Sequence, residues 1–228
     1  MMALPFLLLV AGAQAPGARE RPSLAAIIER VDARYSGLRD FEARFTQRYL
    51  RRALAKTLEE RGRLYIKRPG RMRWEYESPE RKLFVSDGNK TYFYLPEERQ
   101  VIVSPAPSGA LAADDESPLA VLSGQRRLMD TFAISEAGTP AVEGSAVLLL
   151  RPKRPSPEVS EAELGVDPAK GQIRRLKLVD AQGNTTEFQF REVKENRGLA
   201  DSLFRFTAPA GVEIVLASDS PPRPPAHE

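Results

Sequence analysis

Apolar and polar side chains alternate along residues 62–94, which is the clearest pattern in this chain. Alternation with a period of two predicts β-strands that bury one face and leave the other in water. The strictest part places Met72, Trp74 and Tyr76 on one face, with charged residues between them. An Asp-Gly dipeptide at 87–88 then indicates a hairpin before the next aromatic strand. The stretch therefore predicts a curved antiparallel sheet with a large apolar concave face.

The pattern changes at both ends of this sheet. Apolar residues at helical spacing predict an amphipathic helix from Leu24 to about Tyr35, with Ser23 as its N-cap. The polar segment Arg51–Glu60 is expected to be a hairpin end, and Pro and Gly residues within 104–117 predict a loop. Alternating strands resume after residue 130, so we expect about eleven strands in all.

A sheet of that length curls on itself or splits, and amphipathic helices must cover something apolar. We therefore expect a mainly β (α+β) fold, an incomplete antiparallel β-barrel closed by a lid of short α-helices. One lid helix is expected just after Ser117-Pro118, with Leu119 and Leu122 on its apolar side. Residues 16–218 are expected to form a single domain, and the proline-rich tail 219–228 is expected to be disordered.

Residues 1–15 indicate a secretory signal peptide. They contain a short apolar run, Leu4–Val10, and a small-residue site, Ala13-Gln14-Ala15, but no Lys or Arg before the run. The alternative is a buried N-terminal helix. The chain has no cysteine, which excludes a disulfide framework, a thiol nucleophile and a lipid-modified N-terminal cysteine. We therefore expect an exported protein of the periplasm.

The sequence offers little for catalysis. The single histidine, His227, lies in the expected tail, so a Ser-His-Asp triad is not expected. The acidic group 114–116 is expected to be a solvated loop, and Glu75 and Glu77 are expected to face water beside the apolar face. No metal site, cofactor site or enzymatic activity is predicted.

Charge does not indicate a nucleic-acid partner either. There are 34 basic and 31 acidic residues, a mixed surface. Basic residues do cluster at 61–73, where contact with anionic lipid headgroups or an acidic partner surface is more plausible than binding of nucleic acid. We expect no nucleic-acid partner.

Arg68 is the one polar side chain expected on the apolar face, at the end of a strand before Pro69. One interpretation is that its long side chain simply extends so that the charged guanidinium reaches water. The alternative is a role as a multidentate donor to main-chain carbonyls of the covering helices, because a guanidinium carries five N–H groups. Such bonds would hold the lid shut over an empty cavity.

Motifs spread along most of the chain make it similar to the LolA family of periplasmic lipoprotein carriers. The matching residues are Phe41, Phe45-Thr46-Gln47, Gly62-x-Leu64-x-Ile66-Lys67-Arg68-Pro69, Arg73-Trp74, Pro79, Val85-Ser86-Asp87-Gly88, Tyr92-x-Tyr94 and Phe204-x-Phe206-x-x-Pro209-x-Gly211-Val212. The resemblance implies an incomplete β-barrel with a helical lid, in which Arg68 is the latch of the lid. The loop at 104–117 and the tail fit the family pattern poorly.

The resemblance also implies a function. A soluble monomeric chaperone would take lipoproteins from an inner-membrane ABC transporter (LolCDE-like) and deliver them to an outer-membrane receptor (LolB-like). The acyl chains would occupy an apolar cavity. The alternative is a periplasmic binding protein for another lipid or glycolipid. The candidate lining residues are Leu64, Ile66, Met72, Trp74, Leu83, Val85, Leu119, Leu122, Phe188 and Phe190.

Overall fold

Twelve β-strands form a single sheet in the computed structural model, which describes residues 22–105, 127–137, 144–155 and 159–217. The strands are β1 Asp40–Arg51, β2 Lys56–Lys67, β3 Arg71–Ser78, β4 Lys82–Ser86, β5 Lys90–Leu95, β6 Gln100–Pro105, β7 Phe132–Glu136, β8 Ala146–Pro152, β9 Glu161–Asp167, β10 Gln172–Val179, β11 Thr185–Glu195 and β12 Glu213–Leu216. The helices are α1 Leu24–Ser36 and α2 Leu128–Thr131, with 3-10 helices at Arg52–Leu54 and Asp201–Phe204. The mainly β prediction is confirmed, with one strand more than the expected eleven.

The sheet is open and curled, with β12 and β7 at its edges. Its order is β12-β6-β5-β4-β3-β2-β1-β11-β10-β9-β8-β7, so consecutive strands pair as hairpins except at two places. β1 joins the two runs of hairpins by pairing with both β2 and β11. β12 pairs with β6 in parallel, which departs from the expected all-antiparallel sheet.

The hairpin between β1 and β2 is shorter than the sequence indicated. Only residues 52–55 form its turn, so the polar segment up to Glu60 is strand rather than hairpin end. Charged residues suit this strand because Arg48 and Arg61 both pair with the Glu59 carboxylate, at 2.7 Å each. The polar pattern therefore marked a solvated strand, not a turn.

Helix α1 covers the apolar concave face. Its N-cap is Ser23, as predicted, whose Oγ accepts a hydrogen bond from Ala26 N at 3.3 Å. The buried side of α1 consists of Ile27, Ile28, Val31 and Tyr35, which belong to the same core cluster as the inward side chains of the sheet. The apolar stripe of the helix thus packs against the apolar face that the alternating strands create.

A close approach fixes where α1 lies. Gly171, in the turn between β9 and β10, has φ +65°, and a Cβ there would lie 2.6 Å from the Arg30 main-chain carbonyl group. Arg30 Nη1 donates to Pro168 O at 2.7 Å, and the Tyr35 hydroxyl accepts from Ile173 N at 3.0 Å. The C-terminal half of the helix is therefore seated on the β9–β10 hairpin.

The opposite, outer face of the sheet carries a second covering. Residues 199–212, here called the C-terminal strap, cross this face before the chain joins the edge as β12. Asp201 pairs with Lys67 and Arg71, and the Arg73 Nη1 donates to Leu203 O at 3.2 Å. The basic residues of β2 and β3 are thus largely engaged within the protein.

Candidate functional site

The candidate site is the inner face of β1, β2, β3, β4 and β11, beneath α1. Six of the predicted lining residues lie there, all buried in the core cluster: Leu64, Ile66, Met72, Trp74, Phe188 and Phe190. The cross-strand pairs Leu64–Trp74 and Ile66–Met72 place them side by side. Their role in binding a ligand stays a prediction, while their common placement is a structural fact.

Aromatic rings dominate the centre of this face. Phe45 meets Trp74 edge-on at 5.0 Å between ring centroids and Tyr76 at 5.1 Å. Trp74 also lies 5.5 Å from Phe188, and its Nε1 donates to Met72 Sδ at 2.7 Å. Such pairs add to the free energy of burial through their geometry. The result is a wide buried layer of aromatic rings with one thioether among them.

Leu83 and Val85 are corrections to the predicted lining. Trp74 pairs with Phe84, so Phe84 shares the inner face and its neighbours Leu83 and Val85 point to the outer face. There they pair with Tyr94 and Tyr92. Phe206 of the C-terminal strap packs on both tyrosines, at 5.5 and 5.4 Å. The predicted lining was wrong in β4 because the outer face of this strand is also apolar and is covered by the C-terminal strap. Apolar character alone therefore did not identify the inner face.

The predicted lid residues Leu119 and Leu122 lie outside the described residues, as do the signal peptide, the tail with His227 and the acidic group 114–116. In the described ranges, no group of three or more His, Cys, Asp or Glu side chains is placed to hold a metal ion. Nor does any helix there combine the length and apolar character needed to cross a membrane.

Arg68 contacts the end of the helix that closes the site. Its Nη1 donates to Ser36 O at 2.8 Å, and its Nη2 donates to Tyr35 O. These are carbonyls of the last turn of α1, where a cation also meets the negative end of the helix dipole. Partial burial lowers the pKa of Arg68 from its ordinary value. The second of the two readings of Arg68, a donor to main-chain carbonyls, is the one that the geometry matches.

Other contacts hold α1 along its length. The Arg34 Nε donates to Glu195 Oε1 at 2.9 Å, on β11. Asp32 Oδ1 accepts from Leu128 N at 2.9 Å, which ties α1 to α2, and burial raises the pKa of Asp32. Helix α1 is therefore fastened to β11 and to α2 as well as to Arg68.

A polar group closes the far end of the inner face, which the sequence did not indicate. Lys82 Nζ lies 2.8 Å from Glu60 Oε1, and their side chains are only 6% and 2% exposed. The Tyr76 hydroxyl donates to Gln47 Oε1 at 2.9 Å. Burial and the charge of Glu60 raise the pKa of Tyr76 well above its ordinary value, so this phenol stays protonated. These four residues form a buried polar cluster at the end opposite to Arg68.

Comparisons with known proteins agree with this architecture. The family model described as "Outer membrane lipoprotein carrier protein LolA" matches residues 36–207. The outer-membrane lipoprotein carrier protein of Dechloromonas aromatica is 32% identical over 191 residues, 84% of this chain and 88% of the relative. That of Chromobacterium violaceum is 31% identical over 211 residues, 92% of this chain and 97% of the relative. An uncharacterised conserved protein of Thermus thermophilus has the same fold, with TM-score 0.52 and 17% identity over 85% of this chain and 98% of its own.

Proposed function

The chain belongs to the LolA family of outer membrane lipoprotein carrier proteins, and on this basis we propose that it holds the acyl chains of lipoproteins against the inner face of its sheet. The observation that carries the proposal is the pairing of a broad aromatic face with a closing helix whose last turn is held by Arg68. Binding of hydrocarbon needs no covalent chemistry, so we propose a carrier and not an enzyme.

The energetics of such a carrier must allow both uptake and release. At about 25 cal/mol per Å2, removal of several hundred Å2 of acyl surface from water contributes on the order of 10 kcal/mol. Displacing α1 from the same apolar face costs part of this gain, because Ile27, Ile28 and Val31 lose their packing. The difference between two similar terms keeps the transfer reversible. The Arg68 hydrogen bonds add to the other contacts of α1 in favouring the closed, empty state.

The route of the cargo is part of the proposal. We propose that the protein works as a monomer in the periplasm, receives lipoproteins from an inner-membrane ABC transporter and delivers them to an outer-membrane receptor. The family membership supports this route, and the predicted signal peptide at 1–15 supports the compartment. The proposed lining keeps the six inner-face residues, adds Phe84 from β4 and retains the lid residues Leu119 and Leu122 as candidates.

Identification of the natural cargo tests the function. We expect native mass spectrometry of protein taken gently from the periplasm to show one acylated lipoprotein per chain. Depletion of the protein should leave lipoproteins in the wrong membrane. Co-purification of a free lipid or glycolipid, with lipoproteins still correctly sorted after depletion, would support the alternative binding protein instead.

Replacement of Arg68 by leucine tests the latch. The two carbonyls at the end of α1 lose a charged donor, and a hydrogen bond to a charged group contributes about 1.5–3 kcal/mol. The closed state is then less favoured, so we expect about 10- to 100-fold tighter retention of a lipoprotein and correspondingly slower transfer. Transfer is measured as the loss of labelled lipoprotein from the carrier to an acceptor, with circular dichroism as the check on folding.

The matched control is Arg191→Leu, which removes the same charge from an exposed residue of β11. Its transfer rate should equal that of the unchanged protein. An Arg68→Leu variant that folds normally and releases cargo at the control rate would exclude the latch while leaving the carrier function intact.

A further inference from the structure

A recess of about 620 Å3 lies at the rim of the sheet, where α1 ends. Three segments line it: residues 36–40 between α1 and β1, the end of β2 at 67–68, and residues 196–198 after β11. We call it the rim recess. Its volume lies in the ordinary range of small-ligand sites. Arg68 belongs to both the rim recess and the closing contact with α1, so the two features meet at one side chain.

The rim recess is strongly basic. Four of its lining residues carry a positive charge: Arg39, Lys67, Arg68 and Arg197. The one acidic lining residue is Asp40, which is buried, and its two carboxylate oxygens accept from Arg197 N at 2.7 Å and Gly198 N at 2.9 Å. The Asp40 carboxylate is therefore turned into the protein, bound to main-chain amides, and the side facing solvent is left cationic.

The main chain around the recess is firmly built. Asn196 adopts φ +54°, its N–H donates to Asp40 O at 2.9 Å, and its Oδ1 accepts from Arg39 N at 2.8 Å. Together with the two amide bonds to the Asp40 carboxylate, these contacts bind the loop after β11 to the start of β1. Arg39 and Arg197 are consequently held on the same recess by a fixed backbone.

The use of the four cations differs. Lys67 is occupied by Asp201, and Arg68 by the carbonyls of α1. In contrast, the guanidinium groups of Arg39 and Arg197 are exposed and make no hydrogen bond or ion pair with any part of the chain that the structure describes. Two unengaged guanidinium groups that extend from a firmly held main chain into one recess are suited to an anion that both can share.

We propose that the rim recess binds the phosphate of an anionic phospholipid headgroup, with Arg39 and Arg197 as its donors. The planar donor fork of a guanidinium matches the oxygens of a phosphate. The recess borders the apolar core, because buried Leu38 lines it and belongs to the core cluster. The inference rests on the proposed carrier function, since a protein that collects and delivers acylated cargo brings this rim to a membrane surface.

Vesicle binding by the cargo-free protein tests the site. The probes are phosphatidylcholine vesicles with and without 30% phosphatidylglycerol, compared by flotation at ~0.15 M salt. Near an anionic surface, each Lys or Arg contributes enough for roughly a fivefold change in affinity. We expect preferential binding to the anionic vesicles, and about 10- to 30-fold weaker binding for Arg39→Gln/Arg197→Gln. Because both side chains are exposed and unengaged, the thermal stability of this variant should not change.

The matched control is Arg81→Gln/Arg191→Gln, which removes the same charge from two exposed arginines outside the recess. It should keep the vesicle affinity of the unchanged protein. Equal losses in both double variants would mean general surface attraction and would overturn the site. Binding of inorganic phosphate that is lost in the Arg39→Gln/Arg197→Gln variant, without any preference for anionic vesicles, would overturn the lipid source. Preference for an acidic peptide over these vesicles would do the same.

The outcome is separable from the carrier function. The vesicle measurement needs no lipoprotein, and the Arg39→Gln/Arg197→Gln variant should still take up acylated cargo in detergent-free solution. A protein that carries lipoproteins but ignores anionic vesicles refutes only the recess, and a protein that binds the vesicles but no lipoprotein refutes only the carrier.

Discussion

Lys82→Met is expected to destabilise the protein by about 3–5 kcal/mol, the range found when one partner of a buried ion pair is removed. Methionine replaces most of the volume of lysine, so the effect comes from charge and not from a cavity. The Glu60 carboxylate, 2% exposed, loses the ammonium that lies 2.8 Å away. Urea unfolding at pH 7, followed by circular dichroism, measures the change in free energy of unfolding.

Two further variants locate the source of that loss. Glu60→Gln combined with Lys82→Met removes both charges and should recover at least half of the stability lost in the single variant, since no uncompensated charge remains. Lys90→Met changes an exposed lysine at the start of β5 and should stay within about 0.5 kcal/mol of the unchanged protein. A loss of similar size in Lys82→Met and Lys90→Met would mean that the buried pair contributes nothing specific.

Gly62→Ala is expected to destabilise the protein by about 3 kcal/mol or more, at the upper end of the cost of overpacking. An added Cβ would lie 1.9 Å from the Glu75 carbonyl oxygen of β3 and 3.0 Å from Phe45 Cε1. The nearest atom belongs to the backbone, so relief requires β2 and β3 to separate at the bulge between Arg61 and Gly62. Chemical unfolding measures the loss, and near-ultraviolet circular dichroism reports the disturbed packing around Trp74.

Gly37→Ala is the control for this prediction. Gly37 has φ −81°, and an added Cβ would meet only ordinary contacts, the nearest being Ala33 O at 3.5 Å. Its substitution should leave the free energy of unfolding nearly unchanged. If Gly62→Ala proved as mild as Gly37→Ala, the close approach of β2 and β3 at this point would be wrong.

The sequence predicted β3 well and β4 badly, for a physical reason. In β3 the inner positions are apolar and the outer positions are charged, so the two-residue alternation of a strand identifies the buried face correctly. In β4 the apolar residues Leu83, Phe84 and Val85 are consecutive, and the polar ends Lys82 and Ser86 share the inner face with Phe84. The rule that polar residues face water fails here, because Lys82 is paired with Glu60 and Ser86 Oγ donates to Gly70 O at 3.1 Å.

In the candidate site, too, features set by neighbouring residues could be predicted, whereas features set by contacts between distant parts of the chain could not. The contact of Arg68 with helix carbonyls was predictable, because the position at the strand end and the donor count are local properties. The rim recess was not, because Arg39 and Arg197 are far apart in sequence and come to line one recess only through the main-chain amides bound to Asp40. Likewise, the Glu60–Lys82 pair and the strap over Val85 arise from tertiary contacts that no spacing rule contains.

The place of β1 in the sheet has a consequence for how the chain is made. β1 is the first of the twelve described strands to emerge during synthesis, yet Phe41 has Glu195 as one of its two cross-strand neighbours. Until β11 arrives, one edge of β1 is open and the aromatic side chains of the growing half-sheet lack Phe188 and Phe190. Long-range pairing of this kind closes slowly, and open strand edges favour association between chains. We therefore expect the newly made carrier to depend on a chaperone that covers its own exposed apolar surface until β11 has paired with β1.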